Sequence, residues 1–148
     1  MRAVDFVSVH TYPFHDSFYN PSFWGVLPEE ESLPFEAMTE ATMQRAIAYA
    51  KKQYFAVAEY MASVGVSKPM HIGETGWASI DETAYGAAGS KAADEFKQKI
   101  FHDLLREWTD EEGISLFYFE AFDEQWKKAD SPGAVSYTHL RAHETRTH

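Results

Sequence analysis

The sequence has 148 residues, with 23 acidic side chains against 13 Lys plus Arg and a formal charge of −10. That length suits one globular domain of roughly 100–200 residues, and a 45% hydrophobic content can fill a core, which argues against wholesale disorder. The charge argues against a nucleic-acid partner, because counterion release needs clustered Lys and Arg, and it disfavours anionic membrane surfaces; a neutral polymer meets no such repulsion. With no Cys, disulfides, thiol nucleophiles and zinc–thiolate centres are excluded. No apolar run approaches the roughly 18 residues of a membrane-spanning helix, and no secretory leader is visible.

In chain order, Val4-Asp5-Phe6-Val7-Ser8-Val9-His10 is β-branched and alternating, which predicts a buried strand. A domain seldom begins inside a buried strand, so further sequence is expected upstream of it. Residues 13–35 hold four of the six Pro among Phe, Tyr and Trp side chains, the composition of a long binding loop. Within it, Glu29-Glu30-Glu31 is expected to be a solvated turn. From Thr39 to Val64 apolar residues at Met43, Ile47, Ala50, Tyr54, Val57, Met61 and Val64 step by three and four, predicting a one-faced helix stopped by Gly65.

Pro69-Met-His-Ile-Gly-Glu74 predicts a short strand that starts on Pro, where a missing N–H costs least. Ile80 to Gly89 is expected to be loop, and Ser90 to cap a second helix with the stripe Phe96, Ile100, Phe101, Leu104, Leu105 and Trp108, ending near Gly113. Ile114-Ser-Leu-Phe-Tyr-Phe-Glu120 is a strong strand former. The last segment, residues 134–148, has neither period, carries three of the seven His, and is expected to be a non-native tail after a domain over residues 1–133.

Strands alternating with long helices define an α/β class with parallel strands and right-handed crossovers, the sheet covered on at least one face. An open doubly wound sheet and a slice of a (β/α)8 barrel both satisfy the pattern. Each strand ends in polar and aromatic residues: His10-Thr-Tyr12-Pro13, Glu74-Thr-Gly-Trp77, and Glu120-Ala-Phe-Asp-Glu124-Gln-Trp126-Lys127. Strand C-termini are where parallel α/β proteins and barrels build sites. Aromatic faces beside carboxylates suit sugar rings, which present apolar C–H surface and hydroxyls together. His10, His15 and Asp16 lack an evident fourth ligand, so no metal site is expected.

Ile72-Gly73-Glu74-Thr75-Gly76-Trp77-Ala78-Ser79 resembles the nucleophile motif of glycoside hydrolase family 17, the retaining β-1,3-glucanases. Phe117 to Lys127 resembles the last-strand motif of that family, and Val4 to Phe14, with Tyr12-Pro13, resembles the segment ending its sixth strand. The resemblance covers roughly residues 4–128, with the three motifs in the family's order. It implies a partial (β/α)8 TIM barrel, strands six to eight with two intervening helices. The missing N-terminal part of the barrel would be needed for folding.

The resemblance further implies Glu74 as nucleophile, with Tyr12, His10, Trp77, Glu120, Glu124, Trp126 and Lys127 as substrate-binding residues lining the cleft. Its acid/base is a Glu in an Asn-Glu pair on the fourth strand; this chain has no such pair, its only Asn being Asn20. The implied activity is therefore that of the parent enzyme: a retaining hydrolase of β-1,3-glucan, a polysaccharide or oligosaccharide, met outside the cytoplasm and needing no cofactor. A β-glucan transglycosylase with the same nucleophile and a non-catalytic glucan-binding scaffold are the alternatives. A three-stranded stretch with open edges is prone to misassociation. Expressed alone, residues 1–133 are therefore expected to be poorly soluble or molten; a sharp cooperative melt of the monomer would contradict this.

Overall fold

The computed structural model describes residues 3–13, 27–77 and 95–119. Their elements run β1 (Val7–His10), a 3-10 turn (Pro28–Glu30), α1 (Phe35–Ser63), β2 (Met70–Thr75), α2 (Glu95–Glu112) and β3 (Leu116–Tyr118). The three strands form one sheet in the order β1-β2-β3, both pairs parallel. The expected alternation of parallel strands with crossover helices is thus observed.

Apolar spacing explains the helices. In α1 the buried residues Met43, Ala46, Ile47, Ala50, Tyr54 and Met61 form one stripe. Thr39 and Thr42 join that stripe because their hydroxyls donate to the carbonyls of Phe35 (2.9 Å) and Met38 (3.1 Å). The helix starts four residues earlier than its apolar period predicts, since the first turn carries an exposed Phe35 and no buried residue.

Both helices end in the same way. Gly65 (φ 68°) and Gly113 (φ 67°) take the left-handed conformation. Val66 N donates to Met61 O at 2.9 Å and Gly65 N to Ala62 O at 3.0 Å. At the second helix Ile114 N donates to Thr109 O at 2.8 Å and Gly113 N to Asp110 O at 3.4 Å. These are Schellman closures, each sending the chain straight towards the next strand.

The core lies on one side of the sheet. Val9 and Ile72 from the strands pack with Met43, Ala46, Ile47 and Tyr54 of α1 and with Phe101, Leu105 and Trp108 of α2. Tyr54 meets Trp108 edge-on at 5.7 Å between ring centroids. Both helices therefore cover the same face, whereas a doubly wound sheet would place helices on both. On the other face Phe6 and Phe117 stand 57% and 64% exposed, with His71 edge-on to each at 5.1 and 6.2 Å.

That open face corrects the expectation of a buried first strand: in β1 only Val9 is buried. The strand is also shorter than its composition suggests. Val7 N donates to Pro69 O at 2.9 Å, and Pro69, with no N–H to return, closes the ladder there.

The acidic segment at 29–31 is a turn with Glu29 and Glu31 exposed, as expected, and only Glu30 departs from that reading. Glu30 is buried and pairs with the Arg45 guanidinium, while Leu27 N donates to its Oε2 at 3.0 Å. Burial pushes the Glu30 carboxyl up, but the Arg45 and Leu27 hydrogen bonds outweigh it and hold the group below the ordinary carboxylate range.

Nothing lies within 4 Å of a Cβ built on Gly65 or Gly113, so a substitution there meets only backbone strain. Gly65→Ala and Gly113→Ala should each cost about 1–2 kcal/mol in equilibrium denaturation, the usual penalty of an L-residue in this conformation. Gly→Asn should cost less, because Asn tolerates positive φ better.

Candidate active site

The strand ends carry one departure from regular geometry. Val9 pairs with Ile72 and His10 with Glu74, so the register on β1 skips Gly73. Counted from the other side, Ile72 pairs with Leu116 and Thr75 with Tyr118, three steps on β2 against two on β3. Both neighbours therefore see one extra residue in β2, a β-bulge.

Burial gives the same answer independently. Ile72 and Thr75 are both fully buried on the helix side, three residues apart rather than two. Gly73 and Glu74 are left together on the open side. A regular strand would turn Glu74 to the same side as Ile72, into the core.

Two residues of one strand fit side by side because the first has no side chain. A Cβ on Gly73 would overlap Ser8 Oγ and stand 3.3 Å from His10 Nε2. A second glycine, Gly76, lets β2's exit pass β3, since a Cβ there would overlap the Phe119 carbonyl oxygen. Phe119 N donates to Thr75 O at 2.7 Å and Thr11 N to Glu74 O at 3.0 Å, so the ladder resumes past the bulge on both sides.

Glu74 is thereby presented at the C-terminal end of the middle strand with its side chain 37% exposed. The Tyr12 hydroxyl donates to Glu74 Oε2 at 3.0 Å, and His10 Nδ1 lies 3.5 Å from the same oxygen. The structure thus brings together three of the residues singled out in the sequence: Glu74, Tyr12 and His10.

Trp77 goes elsewhere. It is fully buried, packed against Phe101 at 5.1 Å between centroids, and its carbonyl accepts from Gln98 Nε2 at 2.8 Å. With no face open to solvent it is core rather than a sugar platform. Glu120, Glu124, Trp126 and Lys127 lie outside the described residues, as do His15, Asp16 and Ser90. Among the described residues no group of three His, Cys, Asp or Glu could hold a metal ion, and no helix is long and apolar enough to cross a membrane.

Sequence reasoning missed Gln53 and Gln98. The Thr11 hydroxyl, 1% exposed, donates to Gln53 Oε1 on α1, and Gln98 on α2 is itself 3% exposed. Each sits among apolar residues of a helix stripe, and that placement was the available signal.

Fold and site together define a class: a parallel α/β stretch that offers one carboxylate, oriented by a tyrosine, at the C-terminal edge of its strands. No family model matches the chain. It is 42% identical over 83 residues to a glucan 1,3-beta-glucosidase of Arthroderma benhamiae, a match spanning 53% of this chain and 25% of that protein. It is 41% identical over 68 residues to a glucan 1,3-beta-glucosidase of Schizosaccharomyces pombe, spanning 45% of this chain and 19% of that protein. The crystal structure of an endo-laminarinase from Formosa Hel1_33_131 superposes with a TM-score of 0.83 and 52% identity, covering 94% of this chain and 35% of that one. The chain thus spans about a quarter or less of the length of these curated relatives.

A branched side chain at 73 would push on Ser8 and His10 and shift Glu74. Gly73→Val should therefore cost about 1–3 kcal/mol in equilibrium denaturation, the usual penalty for forcing extra atoms into filled space. Gly73→Ala, which needs the Ser8 side chain to rotate and His10 to yield slightly, should cost less. Equal, near-native stabilities for both would show that the bulge tolerates a side chain.

Proposed function

We propose that this stretch belongs to a retaining β-1,3-glucan hydrolase in which Glu74 is the nucleophile. The observation that carries the reading is the double register shift that turns Glu74 out of the core and under the Tyr12 hydroxyl. Similarity to proteins named glucan 1,3-beta-glucosidase and endo-laminarinase supports the substrate class.

The described contacts of the Glu74 carboxylate, from the Tyr12 hydroxyl and His10, are made to Oε2, and the carboxylate so held attacks the anomeric carbon. The glycosidic bond breaks as the Glu74–sugar bond forms, and a second carboxyl protonates the departing oxygen. Water then cleaves the glycosyl–enzyme ester with net retention. That second carboxyl must stand about 5–5.5 Å from Glu74. By the motif resemblance it is a Glu in an Asn-Glu pair, which these 148 residues do not contain. Residues 1–148 alone are accordingly expected to be inactive.

In the same reading β1, β2 and β3 are strands six to eight of a (β/α)8 barrel of family 17. Sequential parallel order with two helices on one face supports this reading, the open face with Phe6 and Phe117 then being the barrel interior. Glu120, Glu124, Trp126 and Lys127 would line the cleft beyond β3. A polymeric β-glucan is met outside the cytoplasm, which supports an exported enzyme acting in the cell envelope or beyond it.

In the whole enzyme, Glu74→Gln should lower turnover of laminarin by several orders of magnitude while leaving its binding largely intact. Proton NMR of the first product of the native enzyme should show the β anomer. Substantial turnover by the variant would remove Glu74 from the nucleophile role, and an α product would exclude retention.

A further inference from the structure

Two polar side chains, half-buried Gln53 and buried Gln98, lie beside the apolar seam between the helices and the sheet, and both reach the chain at the strand ends beside Glu74. Gln53 of α1 accepts the hydroxyl proton of Thr11, a residue 1% exposed. Gln98 of α2, 3% exposed, donates to the Trp77 carbonyl at 2.8 Å. Burying an amide and a hydroxyl in such a seam costs free energy that the hydrogen bond only roughly offsets, so an apolar pair would hold helix to sheet at least as well. What an apolar pair does not supply is direction: a hydrogen bond fixes the position of the group it holds.

The groups held are consecutive with the site. Thr11 points to the helix side between His10 and Tyr12, the two residues that touch Glu74 Oε2, and its own N–H is bonded to the Glu74 carbonyl at 3.0 Å. Trp77 is three residues after Glu74, and the intervening Thr75 carbonyl is held by Phe119 N at 2.7 Å. One helix therefore grips the strand end before the site and the other grips the segment after it.

We propose that Gln53 and Gln98 are positioning residues for the nucleophile, Gln53 acting through Thr11 on Tyr12 and His10, and Gln98 through the Trp77 backbone. The inference rests on Glu74 being the nucleophile and adds to that reading the devices that aim it. Neither glutamine touches substrate. Their loss should appear in the rate of the chemical step and not in substrate binding.

The test uses the whole enzyme acting on laminarin. Gln53→Met and Gln98→Met keep side-chain length and apolar packing while removing the hydrogen bond. Each should lower kcat about tenfold with KM changed less than twofold, the size of a small misalignment of a reacting group. Active sites are counted by trapping with a 2-fluoro glucosyl donor, so that kcat refers to folded enzyme alone. Thr11→Val breaks the Gln53 bond from the strand side, and its loss should match that of Gln53→Met, which also serves should the latter fail to fold.

The route is read by a double-mutant cycle. In a Tyr12→Phe background, Gln53→Met should cost less than about twofold more, because the contact it aims is already gone. Native kcat per active site in Gln53→Met and Gln98→Met, or full additivity with Tyr12→Phe, would overturn the positioning role. A Glu74→Gln control separates the two readings. If that control is dead while the glutamine variants keep native kcat, the positioning role alone falls; if the control turns over, the nucleophile assignment falls and this inference with it.

Discussion

Everything at this site depends on one additional residue in the middle strand. A strand alternates sides with period two, so a carboxylate two residues after the fully buried Ile72 would be driven into the helix-side core. The bulge resets the phase: Ile72 and Thr75 both remain buried, and Gly73 and Glu74 share the open side. A charged group is thereby kept half in solvent without disturbing the packing on either side of it. The arrangement is sterically possible only because Gly73 leaves room for Ser8 and His10.

The rest of the fold secures that placement from one side. Both helices close with a Schellman turn on a glycine and deliver the chain to the next strand, which keeps all three strands parallel and their C-terminal ends together. Their apolar stripes meet over Val9 and Ile72, with Trp108 and Phe101 filling the space between. Beside that seam two glutamines, Gln53 and Gln98, reach the strand ends. The Glu30–Arg45 pair is another buried polar contact, tying the approach of α1 to its body, far along the chain from Glu74.

The opposite face tells of a different environment. Phe6 just before β1, His71 of β2 and Phe117 of β3 form a row of edge-on rings, with the outer two more than half exposed. An aromatic row of that kind is unusual for a surface meant to stay in water. It accords with the proposal that these strands face the interior of a larger barrel, and with a chain that spans only 35% of the endo-laminarinase it superposes on.

The sequence by itself determined the element order, the parallel α/β class, the two helix stripes, the glycine stops, and the grouping of Glu74 with Tyr12 and His10 at strand ends. Those features are local: a period of three to four, a β-branched run or a glycine after a stripe acts on its own neighbours. Tertiary structure decided what depends on the partner across the sheet. It set the short extent of β1, which ends where Pro69 cannot donate, and the burial of Glu30 against Arg45, fifteen residues on. It also drew Trp77 into the core, where a strand-end Trp had suggested a sugar platform. The bulge belongs to the same group. Gly73 was visible beside Glu74 in the sequence, but whether two residues share one face is fixed only by counting against β1 and β3, because register is a relation between strands and not a property of one.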